Sequence, residues 1–103
     1  METREYLTEV LTRTEKLLSD LFTSGFLSAH ESTLEEMDKM SGICMQCGLI
    51  FAGEKLKVLS QEIKINRHLM SQDLNRAVKE FCCLDEYISL CKRKLALDMV
   101  TTH

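Results

Sequence analysis

The sequence contains no proline or tryptophan, and only four of its 103 residues are glycine. Proline and glycine are the residues least compatible with a helix interior, so nearly the whole chain is free to form long helices. The two tyrosines and four phenylalanines are few for a β-sheet, because strands are enriched in aromatic side chains. These shortages predict a purely α-helical fold.

Signatures of catalysis and cofactor binding are missing as well. The sequence has no phosphate-binding loop, no dinucleotide-binding G-x-G-x-x-G, no G-x-S-x-G nucleophile elbow and no H-E-x-x-H zinc motif. None of the three histidines follows a glutamate at the Glu-x-x-His spacing that two-metal centres in helical bundles use. We therefore expect a protein that is not an enzyme and that needs no cofactor.

Length and composition fit one globular domain over residues 1–103. Apolar residues make up 45% and charged residues 28% of the chain, as in folded proteins. The most apolar stretch, residues 43–52, is shorter than the roughly 20 residues that cross a bilayer, so we expect no membrane insertion. The acidic start of the chain differs from a signal peptide, and an odd number of cysteines, five, suits a reducing compartment. The expected location is the cytoplasm.

Apolar residues at steps of three and four predict a first helix over residues 3–24. Thr3 is placed to cap its start and Gly25 to end it. Thr14 fills a gap in the apolar stripe, so we expect it to face the core. The stripe consists of Tyr6, Leu7, Val10, Leu11, Leu17, Leu18, Leu21 and Phe22.

The start of the second helix is ambiguous, because two capping boxes overlap. Ser28 precedes Glu31 and Ser32 precedes Glu35, each at the spacing of a serine that caps a helix with a glutamate three residues later. We favour a start at Ser32. The apolar stripe of this helix is Leu34, Met37, Met40, Cys44, Cys47 and Phe51.

No loop signal separates the second helix from the next helical stretch, residues 54–69. Gly53 either kinks one long helix or ends the second helix and begins a third, and we favour a kinked or broken helix. A last helix follows Ser71, with Asp73 in its first turn and a stripe of Leu74, Val78, Phe81, Leu84, Ile88, Cys91 and Leu95. The predicted fold is a small antiparallel bundle of three to four helices.

Residues 43–52 are apolar on nearly every side of the predicted helix. A helix without a polar face is buried on several sides, and a bundle of this size rarely encloses one segment completely. Gly48 and Ala52 are small, lie four residues apart and would let a second helix approach closely. We therefore predict a helix–helix contact at Gly48, Ile50, Phe51 and Ala52, made by a homodimer or by another protein.

The charges are distributed unevenly along the chain. Residues 1–40 carry nine acidic and four basic residues, whereas residues 54–94 carry nine basic and six acidic ones. This asymmetry favours packing of the two halves against each other or antiparallel self-association, although a single exposed pair contributes less than about 1 kcal/mol. The predicted function is that of a helical interaction module, such as an adaptor, a regulator or a chaperone-like binder.

One alternative function uses thiol or zinc chemistry. Cys44 and Cys47 form a C-x-x-C pair, a spacing that can bring two sulfurs to one centre. A structural zinc needs four ligands, however, and the other candidate donors lie far along the chain: His68, Cys82, Cys83 and Cys91. Because Cys44 and Cys47 also fit the apolar stripe, we favour interior packing for both.

A second alternative is a nucleic-acid-binding regulator. Arg76 and Lys79 lie on the last predicted helix, after a short connection that could imitate a helix-turn-helix, and Lys55, Lys57, Lys64 and Arg67 precede them. The net charge of −3 disfavours this function, because nucleic-acid-binding modules usually present a net basic face.

Overall fold

A computed structural model describes the backbone of residues 3–67 and 74–101 and the side chains of residues 5–67 and 74–97. Over this part of the chain all regular structure is helical. It comprises α1 (Thr3–Ser24), α2 (Glu31–Gln46), α3 (Ile50–Asn66) and α4 (Asn75–Thr101), with a 3₁₀ turn at Phe26–Ser28. The predicted all-α class is confirmed.

The helices form an antiparallel bundle in which each packs against the next along the chain and α4 returns to α1. Phe51 near the start of α3 contacts Tyr87 of α4, whereas Glu62 near the end of α3 pairs with Arg76 at the start of α4. The bundle is elongated, measuring 56 × 21 × 21 Å, so its two ends are well separated. We call one of them the turn end: it carries the turn between α2 and α3, the start of α1 and the later part of α4.

The core is built from the predicted apolar stripes. Thr14 is fully buried, and its hydroxyl donates to the carbonyl oxygen of Val10 at 2.8 Å, which satisfies that polar group within the helix. The largest fully buried side chains include Leu11, Leu18, Leu21, Leu34, Met37, Met40, Leu56, Leu59, Ile63, Leu84 and Ile88. All four helices therefore contribute to one continuous interior.

Four apolar residues of the predicted stripes are exposed, so their assignment to the core was wrong. They lie within four residues of a helix end, where the neighbouring helices no longer cover the stripe: Tyr6, Phe22, Phe51 and Val78. Phe22 is the most exposed of them, at 73%. The periodic pattern identifies a helix face correctly, but it does not tell where the partner helix stops.

The second helix begins at Glu31, and neither predicted capping serine caps it. Residue His30 occupies the capping position in an extended conformation without a side-chain hydrogen bond. Ser28 lies in the 3₁₀ turn, and Ser32 lies inside the helix. The backbone N–H groups of Thr33 and Leu34 donate to the carbonyl oxygen of His30, which begins the helix, and the preceding turn packs Phe26 against the core with its ring 5.5 Å from that of Phe81.

Gly53 neither kinks nor ends a helix, so that prediction was wrong. The break falls earlier, at residues 47–49, where Gly48 has a φ of +92°, a conformation that glycine adopts without steric cost. Gly53 lies inside α3, at a close approach to α2. The buried hydroxyl of Ser41 donates to the carbonyl oxygen of Gly53 at 2.6 Å. Helices α2 and α3 are therefore two arms of a tight hairpin.

Position 71, the predicted cap of the last helix, lies outside the described residues, as does Asp73. From Asn75 onward α4 follows the predicted stripe, with Leu84 and Ile88 buried and Leu95 packed against the core. None of the helices in the described part of the chain is both long and apolar enough to span a bilayer.

Two buried serines of the α2–α3 hairpin predict opposite effects of the same substitution. Ser41 donates a hydrogen bond across the hairpin, whereas the buried hydroxyl of Ser60 has no hydrogen-bond partner among the described residues. An unpartnered buried hydroxyl costs roughly 1–3 kcal/mol. Urea denaturation should therefore show Ser60→Ala more stable by about 1 kcal/mol and Ser41→Ala less stable by a similar amount. Equal loss of stability in both variants would contradict this assignment of hydrogen bonds.

Candidate interaction surface at the turn end

The four residues predicted to form a helix–helix contact lie in, or just after, the turn between α2 and α3. Gly48 is exposed in the turn itself, and Ile50 and Phe51 are 49% and 41% exposed in the first turn of α3. Ala52 is fully buried within the chain's own core. Ile50 and Phe51 are therefore the members of the set whose side chains a partner could reach.

The expected helix without a polar face does not form over residues 43–52, so that prediction was wrong. The turn divides this segment, because Gly48 takes up a positive φ and the chain reverses. After the reversal Cys44 and Ala52 are fully buried, whereas Met45 and Ile50 are partly exposed to solvent. Some apolar residues of the segment therefore pack inside the chain's own bundle, and others contribute to its surface.

Exposed apolar side chains concentrate at this end of the bundle. We define the turn-end surface as six residues that are 37% to 58% exposed: Tyr6, Met45, Ile50, Phe51, Leu90 and Leu97. Single exposed apolar residues are common on proteins, whereas six of them, distributed over all four helices at one end of the bundle, favour an interaction site at that end. The sequence stripes did not indicate Leu90 and Leu97, although their spacing of seven places both on one face of α4, away from its buried face.

An apolar groove opens at the turn end between α1, α4 and the turn. It has a volume of about 150 Å³ and is lined by Leu7, Leu11, Leu49, Cys91, Lys94 and Leu95. Its origin is the difference in helix length, because α4 has 27 residues and α3 only 17. The hairpin ends before α4 does, so the facing sides of α1 and α4 stay open beyond it.

Phe51 is held in place by Tyr87 of α4 and by Lys55 of its own helix. Its ring lies 4.8 Å from that of Tyr87, and the ammonium of Lys55 sits 5.4 Å above it. Lys55 in turn pairs with Glu80 at 2.7 Å, which raises the pKa of the lysine. The exposed part of Phe51 therefore belongs to a fixed ring, and a partner would pay little conformational entropy to bind it.

The C-x-x-C pair lies where α2 ends. Cys44 is fully buried with its sulfur 3.9 Å from the hydroxyl of Thr14, and the half-buried thiol of Cys47 donates to the carbonyl oxygen of Cys44 at 3.5 Å. Burial raises the pKa of the Cys44 thiol, and the neighbouring Cys47 adds to the shift, although the bond with Thr14 opposes it. A raised pKa keeps a thiol protonated and therefore unreactive. This geometry fits interior packing for Cys44.

A third thiol, that of Cys91, approaches the same region from α4. Burial and a side-chain hydrogen bond with Cys91 raise the pKa of Tyr87 to about 12, with further contributions from Cys44 and Cys47. The described residues nevertheless contain no group of three or more histidine, cysteine or acidic side chains arranged to hold a metal ion. His68, the distant donor considered for zinc, lies outside the described part. The described residues therefore do not supply a set of ligands for the zinc ion of that alternative.

The basic residues considered for nucleic-acid binding are largely engaged within the chain. Four of the six form ion pairs with acidic side chains of another helix, whereas Lys57 and Lys79 are exposed and form none in the described part of the chain. The four pairs are Lys55–Glu80, Lys64–Asp38, Arg67–Glu31 and Arg76–Glu62. A phosphate backbone would have to compete with these carboxylates for the same cations. The arrangement favours contacts between helices over a nucleic-acid interface.

Comparisons with protein-family models, with curated proteins and with solved structures found no match to this chain.

Proposed function

We propose that this chain is a non-enzymatic helical interaction module of the cytoplasm that self-associates as a homodimer through its turn end. The observation that carries the proposal is the concentration of partly exposed apolar side chains there, beside an open apolar groove. An adaptor, regulator or chaperone-like binder would use such a surface.

The energetic argument rests on apolar area. Removing apolar surface from water contributes about 25 cal/mol per Å², and a standard interface buries roughly 800 Å² on each partner. Large side chains such as Ile50, Phe51 and Leu90 are about half exposed, so a partner that covers them gains this contribution without unfolding the bundle. Aromatic residues such as Phe51 and Tyr6 are also enriched at the centres of interfaces.

The five cysteines support a reducing environment. Each of them is described, and each is a free thiol: Cys44, Cys47, Cys82, Cys83 and Cys91. Two of these thiols, Cys82 and Cys83, are exposed, and exposed thiols oxidise readily outside reducing compartments. The cytoplasm therefore suits the chain.

Replacing Ile50 with glutamate should weaken self-association strongly, because a carboxylate would have to be buried in the contact between the two copies. Ile65→Glu is a matched control, since Ile65 is the same residue type on the same helix, is 55% exposed and lies at the opposite end of the bundle. Light scattering after size exclusion should show twice the chain mass of 11.9 kDa for the unaltered protein and for Ile65→Glu, and the single mass for Ile50→Glu.

A single-chain mass for the unaltered protein at high micromolar concentration would refute self-association. Loss of the dimer in Ile65→Glu but not in Ile50→Glu would place the contact elsewhere. Circular dichroism should show equal helix content in the three proteins, because both positions are partly exposed and tolerate a polar side chain.

A further inference from the structure

Most charged side chains in the body of the bundle are matched within the chain. Ion pairs join α1 to α2 at Arg13–Glu36, α1 to α4 at Lys92–Glu15 and α3 to α4 at Lys55–Glu80. Among the described residues, unmatched charged side chains also occur along the bundle, and the helices that meet at the turn end carry four of them near that end. Exposed acidic residues on α1, Glu5 and Glu9, and exposed basic residues on α4, Arg93 and Lys94, form no ion pair in the described part of the chain.

At the turn end the unmatched acidic residues lie beside an exposed apolar side chain, and an unmatched basic residue lies at the apolar groove. Tyr6 is 39% exposed on α1, and Glu5 and Glu9 precede and follow it within one helical turn. Lys94 lines the apolar groove, whereas Arg93 lies on the other side of α4, on the face of Leu90 and Leu97. The chain thus presents an aromatic ring flanked by carboxylates and, separately, an apolar groove with a cation at its edge.

We infer that Tyr6 of one copy inserts into the turn-end groove of a second copy, with Glu5 and Glu9 facing Lys94 of that copy. This inference rests on the proposed self-association and specifies its geometry. A two-fold axis makes the contact reciprocal, because it brings each α1 start beside the α4 of the other protomer. A volume of about 150 Å³ suits one aromatic ring, and the leucines that line it offer that ring apolar contact.

The opposite signs of the two sets of charges select a second copy as the occupant. If the starts of the two α1 helices packed against each other, acidic side chains would face acidic side chains. In the crossed arrangement, in which the start of each α1 faces α4 of the other copy, acidic side chains face a basic side chain at both contacts. Such exposed pairs add modest affinity but control orientation and partner choice. Their contribution falls with ionic strength, so the dimer should weaken between low and high salt.

A charge exchange tests this geometry directly. One variant carries Glu5→Lys and Glu9→Lys, and the other carries Lys94→Glu. Each variant alone faces like charges at both contacts and should dimerise at least about tenfold more weakly than the unaltered chain. An equimolar mixture should recover dimers of mixed composition, and the chain with all three changes should recover its own dimer. Analytical ultracentrifugation and native mass spectrometry measure these outcomes.

A further variant tests the ring. Tyr6→Ala should weaken the dimer by about tenfold or more while leaving the helix content seen by circular dichroism unchanged, because Tyr6 is 39% exposed near the start of α1. A dimeric unaltered protein whose affinity none of these changes alters would overturn this contact and leave the proposed function standing. A monomeric unaltered protein would overturn both. Recovery of affinity in the mixture would support the crossed arrangement, because only contacts between chains differ there.

Discussion

The substitution Gly53→Ala is expected to lower the free energy of unfolding by about 2 kcal/mol, the cost typical of overpacking a close contact. A methyl group there would lie 2.6 Å from Cγ of Met45 and 2.9 Å from the carbonyl oxygen of Ser41. The Met45 side chain is 37% exposed and is free to rotate away. The carbonyl of Ser41 belongs to the backbone of α2, so the two arms of the hairpin would have to separate, which would also strain the Ser41–Gly53 hydrogen bond.

Gly42 provides the matched control, because it is a glycine of α2 that lies three residues before Met45. It lies inside a helix, and a methyl group added to it meets nothing within 4 Å. Gly42→Ala should therefore raise the free energy of unfolding by about 0.5–1 kcal/mol, because alanine favours the helix more than glycine does. Urea denaturation of the two variants measures both effects. Destabilisation of equal size at positions 42 and 53 would contradict a close helix approach at Gly53.

The second large effect concerns the reactivity of the thiols. Under native conditions iodoacetamide should modify Cys44 at least about a hundredfold more slowly than Cys82, because a buried thiol reacts only when the structure opens and opening costs several kcal/mol. Cys44 is fully buried, and burial also raises its pKa, whereas Cys82 is exposed on α4. Timed quenching followed by peptide mass spectrometry gives the rate at each cysteine.

The same chain supplies the control for this measurement. In concentrated denaturant all cysteines should react at similar rates, because the protection comes from the fold and not from the local sequence. Native labelling of Cys44 as fast as that of Cys82 would revive the thiol alternative for the C-x-x-C pair.

The sequence predicted helix faces well, because periodicity records which side of a helix avoids water. The end of α1 before Gly25 and the burial of Thr14 follow from local rules and are found in the structure. Gly48 and Gly53 were assigned the reverse of their actual roles, since sequence alone does not distinguish a glycine needed for a positive φ from one needed for a close approach. The first role depends on the backbone of the turn, and the second depends on Ser41 and Met45 across the hairpin.

The candidate surface was predictable in part. An apolar excess around Ile50 and Phe51 is visible in the sequence, and both side chains are accessible in the structure. Tyr6 and Lys94 were not predictable, because their position at the groove depends on how far α1 and α4 extend past the hairpin. Relative helix lengths and the location of a turn are tertiary properties, which a stripe of apolar residues does not encode.

The three-residue turn between α2 and α3 has a consequence for the order of folding. A short connection loses little chain entropy when its ends come together, so contacts across it can form before contacts between distant segments. The hydrogen bond from Ser41 to Gly53 joins residues only twelve positions apart. The ion pair between Lys92 and Glu15, by contrast, joins residues 77 positions apart. Helices α2 and α3 thus form a natural nucleus onto which the two terminal helices can subsequently dock.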